Sequence, residues 1–145
     1  MKFNYSIDIN KPMAEVADLF ADPNTLKEYQ EGFVKKELVS GIMGQPGAIS
    51  KIWFKNGKQE MELTETIISN DLPNSYEAFY HHVHMDNTHT TTFTSLSDSV
   101  TRYRTEGEYT RVSFVPKIMM KLFPSMFSKP AQKWMANFKQ LAESK

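Results

Sequence analysis

From residue 3 the chain alternates. Phe3, Tyr5, Ile7 and Ile9 are apolar, and Asn4, Ser6 and Asp8 between them are polar, with Lys2 before. A repeat of two predicts a strand with one wet face and one buried face. The period then lengthens: Met13, Val16, Ala17 and Phe20 share one helical stripe, with Glu15 and Asp18 outward. Pro12 suits the first position of that helix, where its missing N–H costs nothing. Asp22 followed by Pro23 repeats the start signal and predicts a short second helix ending near Tyr29.

After Gly32 the pattern returns to strands. Segments 33–40 and 48–55 flank a loop from Gly41 to Gly47. Asn56-Gly57 is the strongest hairpin signal, because both central residues of a type I′ turn need positive φ. A turn centred there sets Ile52 opposite Met61, Trp53 opposite Glu60 and Lys51 opposite Glu62. One face is then Ile52, Phe54, Met61, Leu63, Glu65 and Ile67; the other, with Lys51, Lys55, Glu60, Glu62, Thr64 and Trp53, is the solvated one. Residues 69–74 read as a turn, 75–85 and 89–96 as strands turning at Asp86-Asn87, and 100–114 as a last long strand after a loop at 97–99. The end of the chain is helical. Pro116 opens it, Pro124 interrupts it, and Phe127, Ala131, Trp134, Phe138 and Leu141 form one stripe at spacings of 4, 3, 4 and 3. This is an α+β pattern: an antiparallel sheet of about seven strands, two short helices after the first strand, and a long C-terminal helix that covers the curved sheet and leaves a cavity beneath it.

Composition changes this picture in a few places. The 145 residues make one domain, 1–145. The absence of Cys excludes disulfides, thiolate metal sites and a Cys nucleophile. Lys plus Arg is 17 and Asp plus Glu is 17, so a nucleic-acid partner is not expected. No apolar run approaches the roughly 20 residues of a membrane span, and no signal peptide is visible, so a cytoplasmic location is expected. Ten Phe, six Tyr, two Trp and nine Met supply much large, deformable apolar surface. Charge is uneven: residues 59–110 hold nine acids against two bases, and residues 111–145 hold seven bases against one acid. Within the basic part, KIMMKLF reads as an amphipathic segment. It suits a weak contact with an anionic membrane surface, a bent gate over the cavity around Pro124, or a helix whose lysines face water while its apolar side covers the sheet.

The element order and four stretches, INKPMAEVADLFADPNTLKEY, MELTETIISNDLPNSYEAFY, TRYRTEGEY and KWMANFKQLAE, resemble the START-like superfamily, also called SRPBCC or Bet v 1-like, and within it the polyketide cyclase/dehydrase and lipid-transport group. The resemblance spans nearly the whole chain and implies the helix-grip fold. The superfamily hosts carriers, sensors, chaperone activators, cyclases and dehydratases and has no invariant catalytic motif. It therefore implies a pocket and no particular active site.

The expected pocket walls on the sheet are Ile52, Phe54, Met61, Leu63, Tyr76, Tyr80, Phe93, Tyr103 and Tyr109; the helix side supplies Met119, Met120, Phe123, Phe127 and Trp134. Glu65 points the same way by alternation, and a carboxylate among apolar residues calls for a raised pKa or a paired partner. A turn at Asp86-Asn87 sets His84 opposite His89 with His82 on the same face, a set that suits Zn²⁺; no carboxylate is placed to orient the rings, so no metal and no other cofactor is expected. His82 alone is expected to reach the cavity beside Tyr80. Three functions stay open. The first is binding or transport of a small hydrophobic molecule such as a lipid, a quinone or a polyketide-like compound. The second is a cyclase or dehydratase using Glu65 with His82 or Tyr103 as acid and base. The third is a protein-interaction module of the chaperone-activator type.

Overall fold

In the computed structural model, which describes residues 1–145, the alternation of the first segment forms strand β1 (Lys2–Ile9). Helix α1 (Met13–Ala21) follows Pro12 and buries Val16 and Ala17. The Asp22 carboxylate accepts from Asn24 N–H at 2.9 Å and caps a single 3₁₀ turn (Pro23–Thr25) that runs on into α2 (Leu26–Tyr29). Six strands come next: β2 (Phe33–Ser40), β3 (Ile49–Asn56), β4 (Gln59–Asp71), β5 (Ser75–His81), β6 (Met85–Ser97) and β7 (Val100–Val112). Two helices end the chain, α3 (Phe114–Leu122) and α4 (Ser125–Glu143).

The seven strands form one antiparallel sheet in the order β1-β7-β6-β5-β4-β3-β2. The first two strands in sequence are therefore the two edges of the sheet. α1 and α2 connect these two edges and pack on β6, β7 and β2. α4 lies against β1, α1 and α2. The core is packed where these elements meet. Phe138 is fully buried, and its ring meets those of Phe20, Tyr29 and Tyr103 at centroid distances of 6.4, 5.0 and 5.3 Å. Ile9 and Val16 are fully buried beside it.

The expected architecture is the one found, and the local differences have physical reasons. The β3–β4 turn sits one residue later than expected. Asn56 pairs with Gln59, which leaves Gly57 and Lys58 as the central residues; Gly57 has φ +63° and Lys58 has no positive φ. That is the II′ preference for Gly at the first central position, rather than the Asn-Gly pattern of type I′. The pairs become Ile52 with Leu63, Trp53 with Glu62 and Phe54 with Met61. The shift is two residues in register, so every side chain keeps its expected face. β5 ends at His81, and the turn lies at 82–84, closed by reciprocal backbone bonds between His82 and Met85. β7 stops at Val112 and α3 starts at Phe114, two residues before Pro116. No helix is long and apolar enough to cross a membrane.

Candidate functional site

Between the concave face of the sheet and α4 lies a cavity of about 360 Å³, within the range of small-molecule sites. The alternating residues of β3 and β4 form its floor: Ile52, Phe54, Leu63, Glu65 and Ile67. Tyr76 and Tyr80 from β5 and Tyr103 and Tyr109 from β7 add aromatic wall, and Trp134 comes down from α4 to stack on Phe54, 5.3 Å between centroids and 21° between planes. β1 contributes Phe3 and Tyr5 from the edge. Phe3 lies opposite Gly107, and a Cβ at that glycine would come within 2.6 Å of the Phe3 ring and 2.0 Å of the Thr88 carbonyl oxygen. Gly107 is thus a close-approach glycine that lets the Phe3 ring lie over β7. The exposed lining residues Ala21, Pro23, Met43, Asn70 and Pro130 mark the opening. There the Asn70 side chain donates to the Gly44 carbonyl at 2.7 Å and ties β4 to the β2–β3 loop.

The polar part of the wall is concentrated around one carboxylate. Glu65 is buried, as its position in the alternation requires, and it is paired. Tyr80 Oη donates to Glu65 Oε2 at 2.7 Å, and Lys36 Nζ lies 2.8 Å from Oε1 at an angle that leaves this oxygen without a well-directed hydrogen bond. Lys36 itself is largely covered, faces the cavity and has no acceptor besides Glu65. Burial first, and then the neighbouring Glu65 charge, hold the hydroxyls of Tyr80 and Tyr76 protonated well above the usual tyrosine range. Burial alone does the same for Tyr103. His89 also lines the cavity, between the rings of Phe3 and Tyr80 at 5.8 and 5.9 Å. Burial pulls it down to about 4, against the opposing pull of Glu65, so it is a neutral imidazole.

Other residues expected at the pocket stand elsewhere. Met61 sits on the expected face but beside the β3–β4 turn, beyond the cover of the helix, and is exposed. Phe93 is packed in the solid core, 5.4 Å from Phe20 and 5.3 Å from Tyr103. Met119 and Met120 on α3, Phe123 just after it and Phe127 in the first turn of α4 are not among the side chains that line the cavity. His82 sits in the β5–β6 turn, where its Nδ1 accepts from His84 N–H and its carbonyl accepts from Arg111. Burial first, and then the neighbouring His84, His81 and Arg111, lower its pKa. The earlier turn pairs His89 with Ala78 rather than with His84 and sends it inward, into the place expected for His82. The expected clustering of His82, His84 and His89 therefore does not occur, and no three His, Asp or Glu side chains come together as metal ligands. Of the acid and base candidates, Glu65 and Tyr103 reach the cavity.

No family model and no curated protein matches the sequence. The likeness is in three dimensions. The crystal structure of Ara h 8.0201 superposes with a TM-score of 0.74 over 100% of this chain and 99% of that one, at 13% identity. The Bet v 1-like helix-grip fold is the fold of this chain. The Zhui aromatase/cyclase of a Streptomyces species shares the helix-grip architecture with a TM-score of 0.80 at 10% identity, over 99% of this chain and 93% of that one. Norcoclaurine synthase from Thalictrum flavum, in complex with dopamine and hydroxybenzaldehyde, shares it with a TM-score of 0.71 at 15% identity, over 97% and 85%. The helix-grip fold thus carries catalysts among its members, and at these identities the likeness extends to the fold alone.

Proposed function

We propose that the domain binds a small, largely apolar ring compound bearing a carbonyl or phenol oxygen, of the quinone or polyketide-like kind rather than a plain hydrocarbon chain. One observation carries this reading: a covered lysine ammonium in an aromatic cavity, with a single carboxylate for a partner and donors to spare. An ammonium has three N–H donors, and a ligand oxygen would take one that water cannot easily reach. The apolar rings supply area, and Lys36 supplies orientation. The neighbour crystallised with dopamine and hydroxybenzaldehyde supports ring compounds as a fit for a cavity of this fold.

The enzyme reading is favoured by a different observation, the 2.7 Å bond from Tyr80 to Glu65 inside the cavity. The ionised Glu65 is the group there that can take a proton from a ligand and return it to the product, while the Tyr80 hydroxyl, donating to it, holds the carboxylate in place. In this reading Tyr80, rather than His82, is the partner of Glu65.

Calorimetric titration with 2-naphthol and with naphthalene tests the binding reading. The two probes differ by one oxygen, so 2-naphthol should bind about ten-fold or more tightly, as expected for a hydrogen bond to a charged donor. The advantage should vanish in the double variant Lys36→Met/Glu65→Gln, which removes the ammonium without stranding the carboxylate. Equal binding of both probes to the unaltered protein would remove the role given to Lys36.

A further inference from the structure

α3 is apolar on two sides. Toward the protein it presents Met119 and the buried Met120. At 3.6 residues per turn, Phe114, Val115, Ile118 and Leu122 fall on the opposite side within an arc of about 100°. All four are exposed, Phe114 by 76% and Val115 by 67%. Phe123 and Met126 continue the exposed surface past the end of the helix. Val83, at 69% exposure, belongs to the β5–β6 turn that meets the start of α3, where Ser113 N–H donates to the His84 carbonyl at 2.8 Å. This patch is open to solvent. It protrudes on a helix, whereas the ligand cavity is concave and lies elsewhere.

Charge decides what covers it. Lys117 and Lys121 border the apolar arc on one side and Lys129 follows in the first turns of α4; these three have no acidic partner, whereas Arg111, Lys133 and Lys139 are paired with Asp86, Glu31 and Glu143. A second copy seated with its α3 antiparallel to this one would bring these lysines against their own equivalents, which is unfavourable. A bilayer with anionic headgroups satisfies both features, because acyl chains take the Phe, Leu and Val side chains and the headgroups take the ammonium groups. We infer that α3 is a docking surface for an anionic lipid membrane, which it enters with the Phe114–Leu122 face down. The inference stands independently of what the cavity binds, because none of its residues lines the cavity.

The test is sedimentation of the full chain with vesicles of phosphatidylcholine alone and of phosphatidylcholine with 30% phosphatidylglycerol. The protein should pellet with the anionic vesicles only, and a fraction should remain bound in 0.5 M salt. Lys117→Gln/Lys121→Gln/Lys129→Gln should weaken partitioning about a hundred-fold, near five-fold for each lysine. Phe114→Ser/Val115→Ser/Leu122→Ser alters exposed positions only, so its circular dichroism should match the unaltered protein while its salt-resistant fraction disappears. The inference fails if the unaltered protein stays in the supernatant with both vesicles, or if neither triple variant changes its partitioning. It fails equally if the serine variant converts a dimer to a monomer by sedimentation velocity while the unaltered protein ignores vesicles, which would make the patch a self-association face.

Discussion

α4 meets the sheet in two ways. Around Phe138 the space is solid: the ring is fully buried and three other aromatic rings close on it. One turn earlier, around Trp134, the same helical stripe opens onto a cavity, and Phe54 is the one ring stacked on the indole. The helix is continuous through both regions, so the stripe does not explain the difference. What differs is the opposing surface. Near Phe138 the helix is close to β1, with α1 and α2 filling the flank. Near Trp134 it faces the inward side chains of β3 and β4, which curve away from it. Filled space stabilises the fold and hollow space is available to a ligand, and here one helix divides its length between the two.

Truncation should break the comparison most sharply. Phe138→Ala should cost about 3–5 kcal/mol, the range for a buried Phe that leaves a void. Trp134→Ala should cost about 1–2 kcal/mol, because the indole already borders empty space and removing it enlarges a void that exists. Urea denaturation of both variants gives the two values directly. Equal costs would mean that the cavity collapses around Trp134 in solution.

The next effect belongs to the ion pair in the hollow region. Lys36→Met strands the Glu65 carboxylate in an apolar wall and should cost about 3 kcal/mol. Adding Glu65→Gln should restore most of that loss, since a pair replaced as a unit leaves no uncompensated charge. Non-additivity of this kind in a double-mutant cycle would show that the cost of the single change is the stranded charge and not lost packing.

Acid should act on the hollow region through His89. Its folded pKa, about 4, lies below the unfolded value of 6.5. Above about pH 6.5 the imidazole is neutral in both states and the contribution of folding is complete. As pH falls from 6.5 toward 4 the unfolded chain takes a proton that the folded one refuses, and stability declines by about 3 kcal/mol. Salt-bridged carboxylates such as Asp8 and Asp86, whose pKa values are lowered by hydrogen bonds from Arg102 and Arg111, lose their share at still lower pH. Between pH 7 and 4.5, unfolding curves should therefore show the protein losing about 2–3 kcal/mol of stability that His89→Gln keeps, whatever the gap between them at pH 7. Parallel curves would place His89 in contact with water.

The smallest effect has the opposite sign. Thr91 is fully buried beside the cavity and its hydroxyl has no partner. Thr91→Val exchanges that hydroxyl for a methyl of similar size, so it should stabilise the ligand-free protein by about 1 kcal/mol. A loss of stability would mean that the hydroxyl is satisfied in solution, by a water or a bound molecule.

Much of this molecule was legible in its sequence because the patterns concerned are local. Two-residue alternation specified β1 and the inner face of β3 and β4, Glu65 included, and the 3–4 spacing specified the face of α4 that carries Trp134 and Phe138. A hairpin turn misplaced by one residue did no harm there, since a two-residue slip keeps every side chain on its face. The polar partner of Glu65 was not legible. Strict alternation from Phe33 sends Lys36 outward, but an irregularity between Phe33 and Lys35 inserts one extra residue and turns Lys36 inward, opposite Ile52. The imidazole in the cavity was not legible either: a turn at 82–84 instead of 86–87 brought in His89 and left His82 outside. α3 was read correctly as amphipathic and basic, yet which of its two apolar sides met the protein depended on where the preceding strand delivered it. Periodicity determined which residues share a face. Bulges, turn positions and the curvature of the sheet decided which faces meet, because those depend on pairing between strands far apart in the chain.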